Sequence, residues 1–405
     1  MGCFSAIIRV LQKGTMQLRP HQQRALDALA SHTKGQVIIP TGGGKTLVAI
    51  KDAQRQFEEG NNTIVVVAPR ILLAHQLCAE FLEHIDNAEV MHVHSGRTHH
   101  FSTTKATEIS VWSTKKCAFN QLIFTTYHSL HRLQESGINV DTIYFDEAHN
   151  SVARNFLPAV EFYAGLDSIR CYFFTATPKH SGTKSRIGME NKEVFGEVIF
   201  EVPAPELVEQ GYILPPKVVI NKFPKLGRYE ITPEVESTKI IDSMDKNAKD
   251  KVLICAKSTK QIVTLISRSK FLEELAYRGY SYMYITSKTG AIIDGEKVGR
   301  EQFFDVLNAW GKEDGKKFVV LHHSILSEGI NVKGLESVLF MRSMDYIGIS
   351  QTIGRVIRLG AANKTYGLIC VPSYSNVGIT TARKVQAVVN TVFNEGQPAI
   401  SVVKR

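Results

Sequence analysis

The sequence lacks any apolar run that approaches the roughly 20 residues of a membrane-spanning helix. It also lacks a CxxC pair, and its six cysteines are scattered, mostly within predicted apolar strands or helices. They are Cys3, Cys78, Cys117, Cys171, Cys255 and Cys370. Scattered single cysteines are typical of reduced core residues in an intracellular protein and argue against a zinc site. We therefore expect a soluble cytoplasmic protein without membrane contact.

The amino-terminal residues 1–14 match no targeting signal. Gly2 is followed by Ala6, where a myristoylation signal requires Ser or Thr. The apolar part of this segment is short and has no small-residue cleavage site, so we predict no signal peptide.

The composition is that of a globular protein with an excess of basic residues. Hydrophobic residues make up 43% and charged residues 21% of the 405 residues, a length that suggests two or three domains. The net charge of +9 and the isoelectric point near 9.1 favour a polyanionic partner, most simply nucleic acid. Charge alone does not identify that partner, because many basic proteins bind no polyanion.

The stretch Gln36–Thr46 (QVIIPTGGGKT) has the pattern of a phosphate-binding loop. The apolar run Val37–Ile39 predicts a buried strand, and the residues after Lys45 have helical periodicity. Glycines at the turn let backbone N–H groups converge on phosphate oxygens. They are Gly42, Gly43 and Gly44. Lys45 supplies charge for the outer phosphates, and the Thr46 hydroxyl can ligate Mg²⁺.

Four more apolar runs follow in the first half, and each is followed directly by a polar motif. They are Thr63–Ala68, Leu122–Thr126, Thr142–Phe145 and Cys171–Phe174, followed by Pro69-Arg70, Tyr127–Ser129, Asp146–His149 and Thr175–Pro178. Such runs with helical stretches between them, here Gln23–Ala30 and Ile71–His84, are typical of parallel strands covered on both faces. Ligands bind beyond the carboxyl ends of these strands, so the motifs are expected to face one crevice.

The same alternation begins again after the Pro-rich stretch Val202–Pro216, which we expect to be a hinge between domains. Five further apolar runs follow without a second GKT loop. They are Val252–Ala256, Ser281–Ile285, Phe318–Leu321, Val338–Met341 and Gly367–Val371. We therefore predict an α/β fold of two domains, residues 1–205 with the phosphate loop and residues 206–405 without one.

Asp146 and Glu147 supply the acidic groups that nucleotide hydrolysis needs. Asp146 follows an apolar strand, a position that suits a carboxylate holding Mg²⁺. The adjacent Glu147 can polarise the attacking water. His149, Thr175 and Thr177 could link this strand end to the second domain through hydrogen bonds, or they only cap local turns.

Two arginines in the second half are predicted to act on a nucleotide held by the first half. Arg355 and Arg358 follow Gln351 in QTIGRVIR, and on a helix they would share a face. Guanidinium groups from a domain without its own phosphate loop suit a finger that inserts at the γ-phosphate. The polar loop Ser327–Asn331, at another strand end, favours this interpretation over a solvated helix face.

Three further stretches have weaker patterns. Gln22, just before a predicted helix, has the amide donor and acceptor that an adenine edge requires, although a surface cap explains it equally well. Residues 87–121 predict a long excursion with one or two poor strands, and residues 222–250 a charged surface connection with one helix. The excursion contains four histidines, which we interpret as a solvated loop facing nucleic acid in preference to a metal site. They are His92, His94, His99 and His100.

In order and spacing, PTGGGKT, DEAH, TATP, LSEGINV and QTIGRVIR resemble the motifs of superfamily 2 helicases, across residues 18–375. The segment RPHQ resembles the adenine-sensing Gln motif of that family, whereas APR and TTYHSL resemble its two nucleic-acid motifs in the first domain. The segments EGIN and IGRVIRLG are most similar to the corresponding motifs of phage-type branch-migration helicases and XPB-like repair helicases.

This resemblance implies two RecA-like domains, each a parallel sheet covered by helices on both faces, with ATP and Mg²⁺ in the cleft between them. It implies that Lys45, Thr46, Asp146 and Glu147 carry hydrolysis, with Thr46 and Asp146 on the metal. It implies nucleotide contacts from Arg19, Gln22, Thr41, Gly42, Gly43, Gly44, Glu328, Gly329 and Asn331, and γ-phosphate contacts from Gln351, Arg355 and Arg358. It implies nucleic-acid contacts from Pro69, Arg70, Thr126, Lys257 and Ser258, and coupling through His149, Thr175 and Thr177.

The function implied is that of an ATP-dependent DNA helicase or translocase that acts as a monomer on single-stranded, forked or branched DNA. Two alternatives remain open: an RNA helicase of the same superfamily, and a restriction- or remodelling-type motor that moves on duplex DNA. A third is a non-enzymatic adaptor with a degenerate ATP site, which the intact Lys45, Asp146, Glu147 and Arg358 argue against.

Overall fold

The computed structural model describes residues 17–60, 62–115, 118–183, 185–286, 288–323, 334–360 and 364–403. Within these ranges the strands form two eight-stranded sheets and a two-stranded one. Strands β1–β9 are Lys34–Ile38, Thr63–Ala68, Ala88–Val93, Phe101–Ser102, Asn120–Thr126, Thr142–Phe145, Arg170–Thr175, Lys179–Ser181 and Val198–Glu201. Strands β10–β18 are Pro216–Lys222, Lys251–Cys255, Ser281–Thr286, Gly290–Ile293, Glu296–Val298, Phe318–His322, Ser337–Phe340, Gly367–Ser373 and Ser401–Val403.

Helices lie between most of these strands. Helices α1–α8 are Pro20–Ser31, Lys45–Glu59, Ile71–Leu82, Ala106–Lys115, Leu130–Ser136, Leu157–Ala164, Lys192–Phe195 and Ala204–Glu209. Helices α9–α14 are Pro233–Asn247, Thr259–Ser267, Phe271–Tyr277, Arg300–Lys312, Tyr346–Val356 and Asn376–Val389. In the part of the chain that the structure describes, none of these helices is long and apolar enough to cross a membrane.

The first sheet has the strand order β4-β3-β5-β2-β6-β7-β1-β9, and all its pairings are parallel. Successive residues of a strand point to opposite faces, so the apolar run of β2 serves two cores. Ile64 and Val66 belong to the core that contains α2 and α3, whereas Val65 and Val67 belong to the core that contains α4, α5 and α6. Helices therefore cover both faces, as the unbroken apolar strands predicted.

The second sheet has the order β10-β17-β16-β11-β15-β12-β13-β14. Its central pairings are parallel, but β12–β13 and β13–β14 are antiparallel, so the expectation of a purely parallel second sheet is wrong at this edge. The β13–β14 turn contains Asp294 and Gly295, both with positive φ (45° and 90°). Asp-Gly between two short strands is a hairpin signal, and the sequence interpretation passed over it.

Residues 87–121 are more regular than the sequence suggested. They contain β3, β4, the start of β5 and the helix α4, which buries Ile109 and Trp112 on one face. This helix buries only these two side chains, and its other residues are mostly polar or small, so its hydrophobic periodicity is weak. The prediction that four histidines form a solvated loop is wrong for two of them, because the side chains of His92 and His94 are only 1% and 2% exposed.

The link between the sheets is not a bare hinge. The Pro-rich stretch contains α8, and the proposed division after residue 205 falls inside that helix. Residues 222–250 contain the single helix expected, α9, but its Ile240, Ile241 and Met244 are core residues, so it is no mere surface connection. The carboxyl-terminal strand β18 returns to pair with β8 of the first half. The exact domain division stays a prediction.

Candidate active site

The glycine loop between β1 and α2 has the backbone geometry of an anion cradle. Gly42 and Gly44 have φ values of 91° and 85°, which glycine adopts readily and other residues rarely do. Helix α2 begins at Lys45, so its unpaired N–H groups and partial positive charge face the loop. This loop can therefore hold phosphate groups.

Two side chains of α1 brace the loop. His21 Nε2 lies 2.7 Å from the carbonyl oxygen of Gly43, and the Gln22 amide donates to the carbonyls of Gly43 and Gly44 at 3.4 and 3.3 Å. The Gln22 side-chain oxygen accepts the N–H of Arg19 at 3.0 Å. Both ends of the amide are therefore engaged within the protein. The reading of adenine by Gln22 stays a prediction, and it requires these hydrogen bonds to be exchanged.

One cavity of about 350 Å³ lies between this loop and helix α13 of the second half. Residues from both halves that the sequence singled out separately form its wall. They are Arg19, Thr41, Gly42, Gly44, Lys45, Thr46, Asp146, Glu147, Gln351, Arg355 and Arg358. Gly43 and Gln22 lie outside this lining. The expectation that the two halves share one site at their common cleft thus agrees with the geometry.

Asp146 and Glu147 lie at the carboxyl end of β6, and their pKa values are shifted in opposite directions. Burial, together with the charge of Glu147, raises the pKa of Asp146. Burial also acts to raise the pKa of Glu147, but the charges of Lys45, His149 and Arg355 outweigh it and lower that pKa. Glu147 has a left-handed backbone with φ of 46°, a strain that is often found at functional sites. The pair offers an ionised base next to a carboxyl group that gains from a nearby cation.

The oxygen donors at the loop fit a hard divalent cation. The Thr46 hydroxyl and the Asp146 carboxylate both line the cavity, and Mg²⁺ prefers such ligands. Among the described residues, the buried Thr41 hydroxyl has no hydrogen-bond partner. A ligand or a water molecule next to this hydroxyl would satisfy it.

His149 joins the first half to the second through hydrogen-bond contacts. Its Nδ1 lies 3.2 Å from Thr175 Oγ1 and 3.5 Å from Thr177 Oγ1, both beyond β7 or at its end. Its Nε2 lies 3.5 Å from Nε2 of Gln351, which also donates to Glu147 Oε2 at 3.3 Å. The residues predicted to couple the halves are therefore in contact. Their coupling role itself stays a prediction.

The two arginines lie in the same wall but not on one helix face. Arg355 is in the last turn of α13, which ends at Val356, and Arg358 lies beyond that end. The prediction of a shared helix face is therefore wrong, because the helix stops before Arg358. Arg355 is 3% exposed, and burial together with the charge of Arg358 lowers its pKa to about 10. Arg355 remains protonated at neutral pH and brings positive charge to the cavity.

Sequence reasoning missed Tyr212 and Gly354. Tyr212 lines the cavity, and the Arg19 guanidinium lies 4.6 Å from its ring centroid. A Cβ on Gly354 would collide with Thr41, so a glycine here lets α13 approach the phosphate loop. A signal for Gly354 was present, since a glycine inside a helical pattern often marks close packing. Nothing in the Pro-rich stretch distinguished Tyr212.

The predicted nucleic-acid residues follow or end strands and are not part of the lining of this cavity. Arg70 follows β2 and is exposed, next to the buried Pro69, whereas Thr126 ends β5 and is only 3% exposed. Lys257 forms an ion pair with Glu236. Lys257 and Ser258 both follow β11. The Ser258 hydroxyl caps α10 by accepting the N–H of Gln261 at 3.1 Å. Nucleic-acid contact at these five positions stays a prediction.

Three predicted nucleotide-binding residues lie outside the described residues. They are Glu328, Gly329 and Asn331.

Fold and cavity together define a class of protein, a two-sheet α/β nucleotide-binding protein whose site lies between the halves. Comparison with known protein families assigns the chain to a more specific class. Residues 15–180 match the family described as type III restriction enzyme, res subunit, and residues 236–360 match the helicase conserved C-terminal domain. Together the two matches indicate a superfamily 2 helicase, and they identify the two sheets as RecA-like helicase domains.

Two viral proteins are similar to this chain over most of its length. Putative helicase 22 of Sulfolobus islandicus filamentous virus (isolate Iceland/Hveragerdi) is 23% identical over 396 residues, covering 90% of this chain and 66% of the relative. The ATP-dependent DNA helicase uvsW of Enterobacteria phage T4 is 21% identical over 365 residues, covering 86% and 67%. The chain thus spans about two thirds of the length of these curated relatives.

A solved structure confirms the predicted fold class. The ATP-dependent type ISP restriction-modification enzyme LlaBIII bound to DNA superposes with a TM-score of 0.75 at 18% identity. The match covers 96% of this chain and 31% of that enzyme.

Proposed function

We propose that this protein is an ATP-dependent DNA helicase or translocase that acts on forked or branched DNA, with residues 1–205 and 206–405 as its two motor domains. The observation that carries the proposal is the shared cavity, in which Lys45 and the two carboxylates of one half meet Arg355 and Arg358 of the other. An adaptor without catalysis would not need these opposite charges around one cavity.

Each side chain has a distinct task in the proposed hydrolysis. Glu147, held ionised by the surrounding positive charges, accepts a proton from the attacking water. Lys45, Arg355 and Arg358 stabilise the negative charge that develops on the transferred phosphoryl group. Gln351 orients the Glu147 carboxylate through its hydrogen bond of 3.3 Å.

Thr46 and Asp146 would hold Mg²⁺, which neutralises phosphate charge when bound. Their oxygen atoms and the raised pKa of Asp146 fit that ion. The loop residues Thr41 to Gly44 would cradle the phosphates, and Arg19, Gln22 and Tyr212 the nucleoside.

Movement would arise because the site is complete only when both halves contact the nucleotide. Loss of the γ-phosphate removes the group that Lys45 would contact from one half and Arg355 and Arg358 from the other. The two halves can then separate. The contacts of His149 with Thr175 and Gln351 would carry this change between the halves. DNA would be held mainly through phosphate contacts, and so with little sequence preference.

A panel of labelled substrates tests the proposal: single-stranded DNA, a fork, a Holliday junction, 3′- and 5′-tailed duplexes and an RNA duplex. At one salt concentration, we expect DNA to stimulate ATP hydrolysis and forked or branched DNA to be resolved, whereas Lys45→Ala abolishes both. Preferential stimulation by RNA would contradict the DNA assignment, and ATPase activity that survives Lys45→Ala would contradict the site.

A duplex translocase is the second candidate. It is supported by the match of residues 15–180 to a restriction-enzyme subunit and by the likeness of fold to LlaBIII. ATP-dependent displacement of a triplex-forming strand without fork unwinding would favour this candidate over a helicase.

A further inference from the structure

Three histidines outside the ATP cavity form a compact cluster. His75 lies on α3, His92 on β3 and His94 one residue after that strand. One ring nitrogen from each lies within 4.8 Å of the other two. The ring centroids are 5.4 Å apart for His75 and His92, and 5.0 Å apart for His75 and His94 and for His92 and His94. The proposed hydrolysis uses none of the three.

The hydrogen bonds of the cluster leave ring nitrogens without partners. His94 Nδ1 accepts the N–H of Gly96 at 3.1 Å, so a neutral His94 carries its proton on Nε2, which lies 2.9 Å from His92 Nδ1. His92 must then carry its own proton on Nε2, where no described residue accepts it. His75 Nε2 is also buried and lacks a partner within the same residues. The proton on His94 Nε2 thus lies between the two rings. A cation would take its place at His92 Nδ1 and His94 Nε2 if that proton moved to His94 Nδ1 and displaced the N–H of Gly96.

The environment keeps all three rings in the form that binds metals. Burial, reinforced by the neighbouring imidazoles, lowers the pKa of His92 to about 3 and of His94 to about 4. Burial also lowers the pKa of His75, against the opposing charge of Glu301 from α12. Neutral imidazoles are the usual nitrogen ligands of transition metals, and they bind without net release of a proton when the ring proton lies on the nitrogen that faces away from the metal.

We propose that His75, His92 and His94 bind one divalent transition-metal ion of the zinc class. Three imidazoles and one open position form a known tetrahedral arrangement for Zn²⁺, with nitrogen atoms about 2.0–2.1 Å from the metal and hence about 3.4 Å from one another. The present spacing of up to 4.8 Å reaches this through small rotations of the rings. Mg²⁺ prefers oxygen ligands and does not compete for the cluster.

The ion would tie α3 to the end of β3. Helix α3 also carries Gln76 and Glu80, which line the ATP cavity, and it begins directly after Arg70. A metal at His75 would therefore hold a helix that borders both the nucleotide site and a predicted DNA contact. This predicts a structural role, with metal binding that does not depend on ATP.

Metal binding to the full-length, tag-free chain tests the site directly. After chelator treatment and dialysis, Zn²⁺ uptake is measured by equilibrium dialysis and elemental analysis, with millimolar Mg²⁺ present to occupy the carboxylates. We expect one equivalent of Zn²⁺ for the wild-type protein. His92→Gln and His94→Gln should each weaken binding about 100-fold or more, since each removes a ligand.

Two further measurements separate a specific site from loss of folding. Co²⁺ should give the intense visible absorption of a tetrahedral site in the wild type and in His32→Gln, which removes an exposed imidazole elsewhere. His75→Gln changes only a half-buried helix residue, and it should lose this absorption while its circular dichroism stays unchanged. Uptake well below one equivalent, or binding that is equal in folded His75→Gln and wild type, would overturn the proposal.

Discussion

The two halves share an architecture but bring opposite equipment to the cavity. The first half has a glycine loop braced by His21 and Gln22, and a carboxylate pair at the end of β6. The second half has no such loop in its described residues and brings the cations Arg355 and Arg358. Neither half alone has both the cradle and the balancing charge. The difference indicates that an α/β sheet can keep its fold while its strand-end residues are specialised for one side of a shared site.

The pKa shifts of the buried charged groups also reflect the contact between the two halves. Positive charges from both halves lower the pKa of Glu147, whereas burial and Arg358 lower the pKa of Arg355. Glu147 is therefore held in its charged form partly by Arg355 of the other half, and the charge of Glu147 in turn opposes the lowering of the Arg355 pKa. Burial of charged groups is costly to stability, and their presence here is better explained by the chemistry they perform.

Removal of Arg355 should have the largest effect, because it takes away a charge that the second half contributes to the shared site. Arg355→Ala is expected to lower kcat for ATP about 10³-fold or more, because an arginine finger acts on the transition state. Affinity for ATP should change little, since the cradle belongs to the other half. Steady-state kinetics and nucleotide-binding titration check both parts.

Arg132→Ala serves as the control, because it removes an exposed arginine that forms a surface ion pair with Glu135 on α5. Arg355→Lys keeps the charge and guards against misfolding, yet it should remain strongly impaired since Lys lacks the planar fork. A large rise in KM with unchanged kcat would show that the second half acts in binding alone.

Loss of the base in the first half should have the next largest effect. Glu147→Gln keeps the shape of the side chain but cannot accept a proton, so kcat should fall about 10²- to 10⁴-fold while ATP still binds. Single-turnover hydrolysis measures this. Glu59→Gln, at a surface ion pair on α2, should behave as wild type. Near-normal turnover by Glu147→Gln would remove Glu147 from the mechanism.

The close approach of the halves should depend on Gly354. Gly354→Ala places a methyl group against Thr41 and pushes α13 away from the loop, so kcat should fall about 10- to 100-fold. Gly299→Ala is the matched control, since nothing lies within 4 Å of its added Cβ. Equal activity of the two variants would mean that the packing of Gly354 against Thr41 is unimportant.

Coupling between the halves should be sensitive to His149. His149→Ala removes the contacts with Thr175 and Gln351 while Glu147 remains, so strands separated per ATP should fall about tenfold. Parallel unwinding and ATPase assays give this ratio, with His32→Ala as the control. An unchanged ratio would leave His149 as a local turn residue.

The smallest effect is expected at the nucleoside end of the cavity. Tyr212→Ala removes the ring under Arg19 and should raise KM for ATP about 2- to 5-fold, with kcat nearly unchanged. Tyr212→Phe should keep the wild-type KM because it retains the ring. Tyr229→Ala, which truncates a side chain that is 96% exposed, controls for surface effects.

Much of the fold was predictable because its signals are local. Apolar strands such as Thr63–Ala68 and Thr142–Phe145 were predicted at the bounds that the structure has. The helix α4 and the hairpin β13–β14 were missed, because two apolar residues at helical spacing and strands of 3 and 4 residues carry little pattern. The burial of His92 and His94 was also missed, since β3 lies between β4 and β5 through pairings that no local pattern shows.

The candidate site was likewise predictable only in part. Its residue types and their positions at strand ends could be read from the chain, because carboxyl ends of parallel strands meet at one edge of a sheet. The meeting of Arg355 with Glu147 across the cleft depended on the packing of two sheets, which no local pattern encodes. Tyr212 and Gly354 acquire meaning only from what stands opposite them.

By itself, the order of residues determined the loop, the carboxylate pair, the two-domain α/β class and the need for positive charge from the second half. Only the tertiary structure decided that Arg358 lies beyond the helix, that the Gln22 amide braces the loop, and that three histidines meet. The physical reason is range: backbone conformation and strand burial follow from neighbours in sequence, whereas distances, desolvation and pKa shifts depend on residues far apart along the chain.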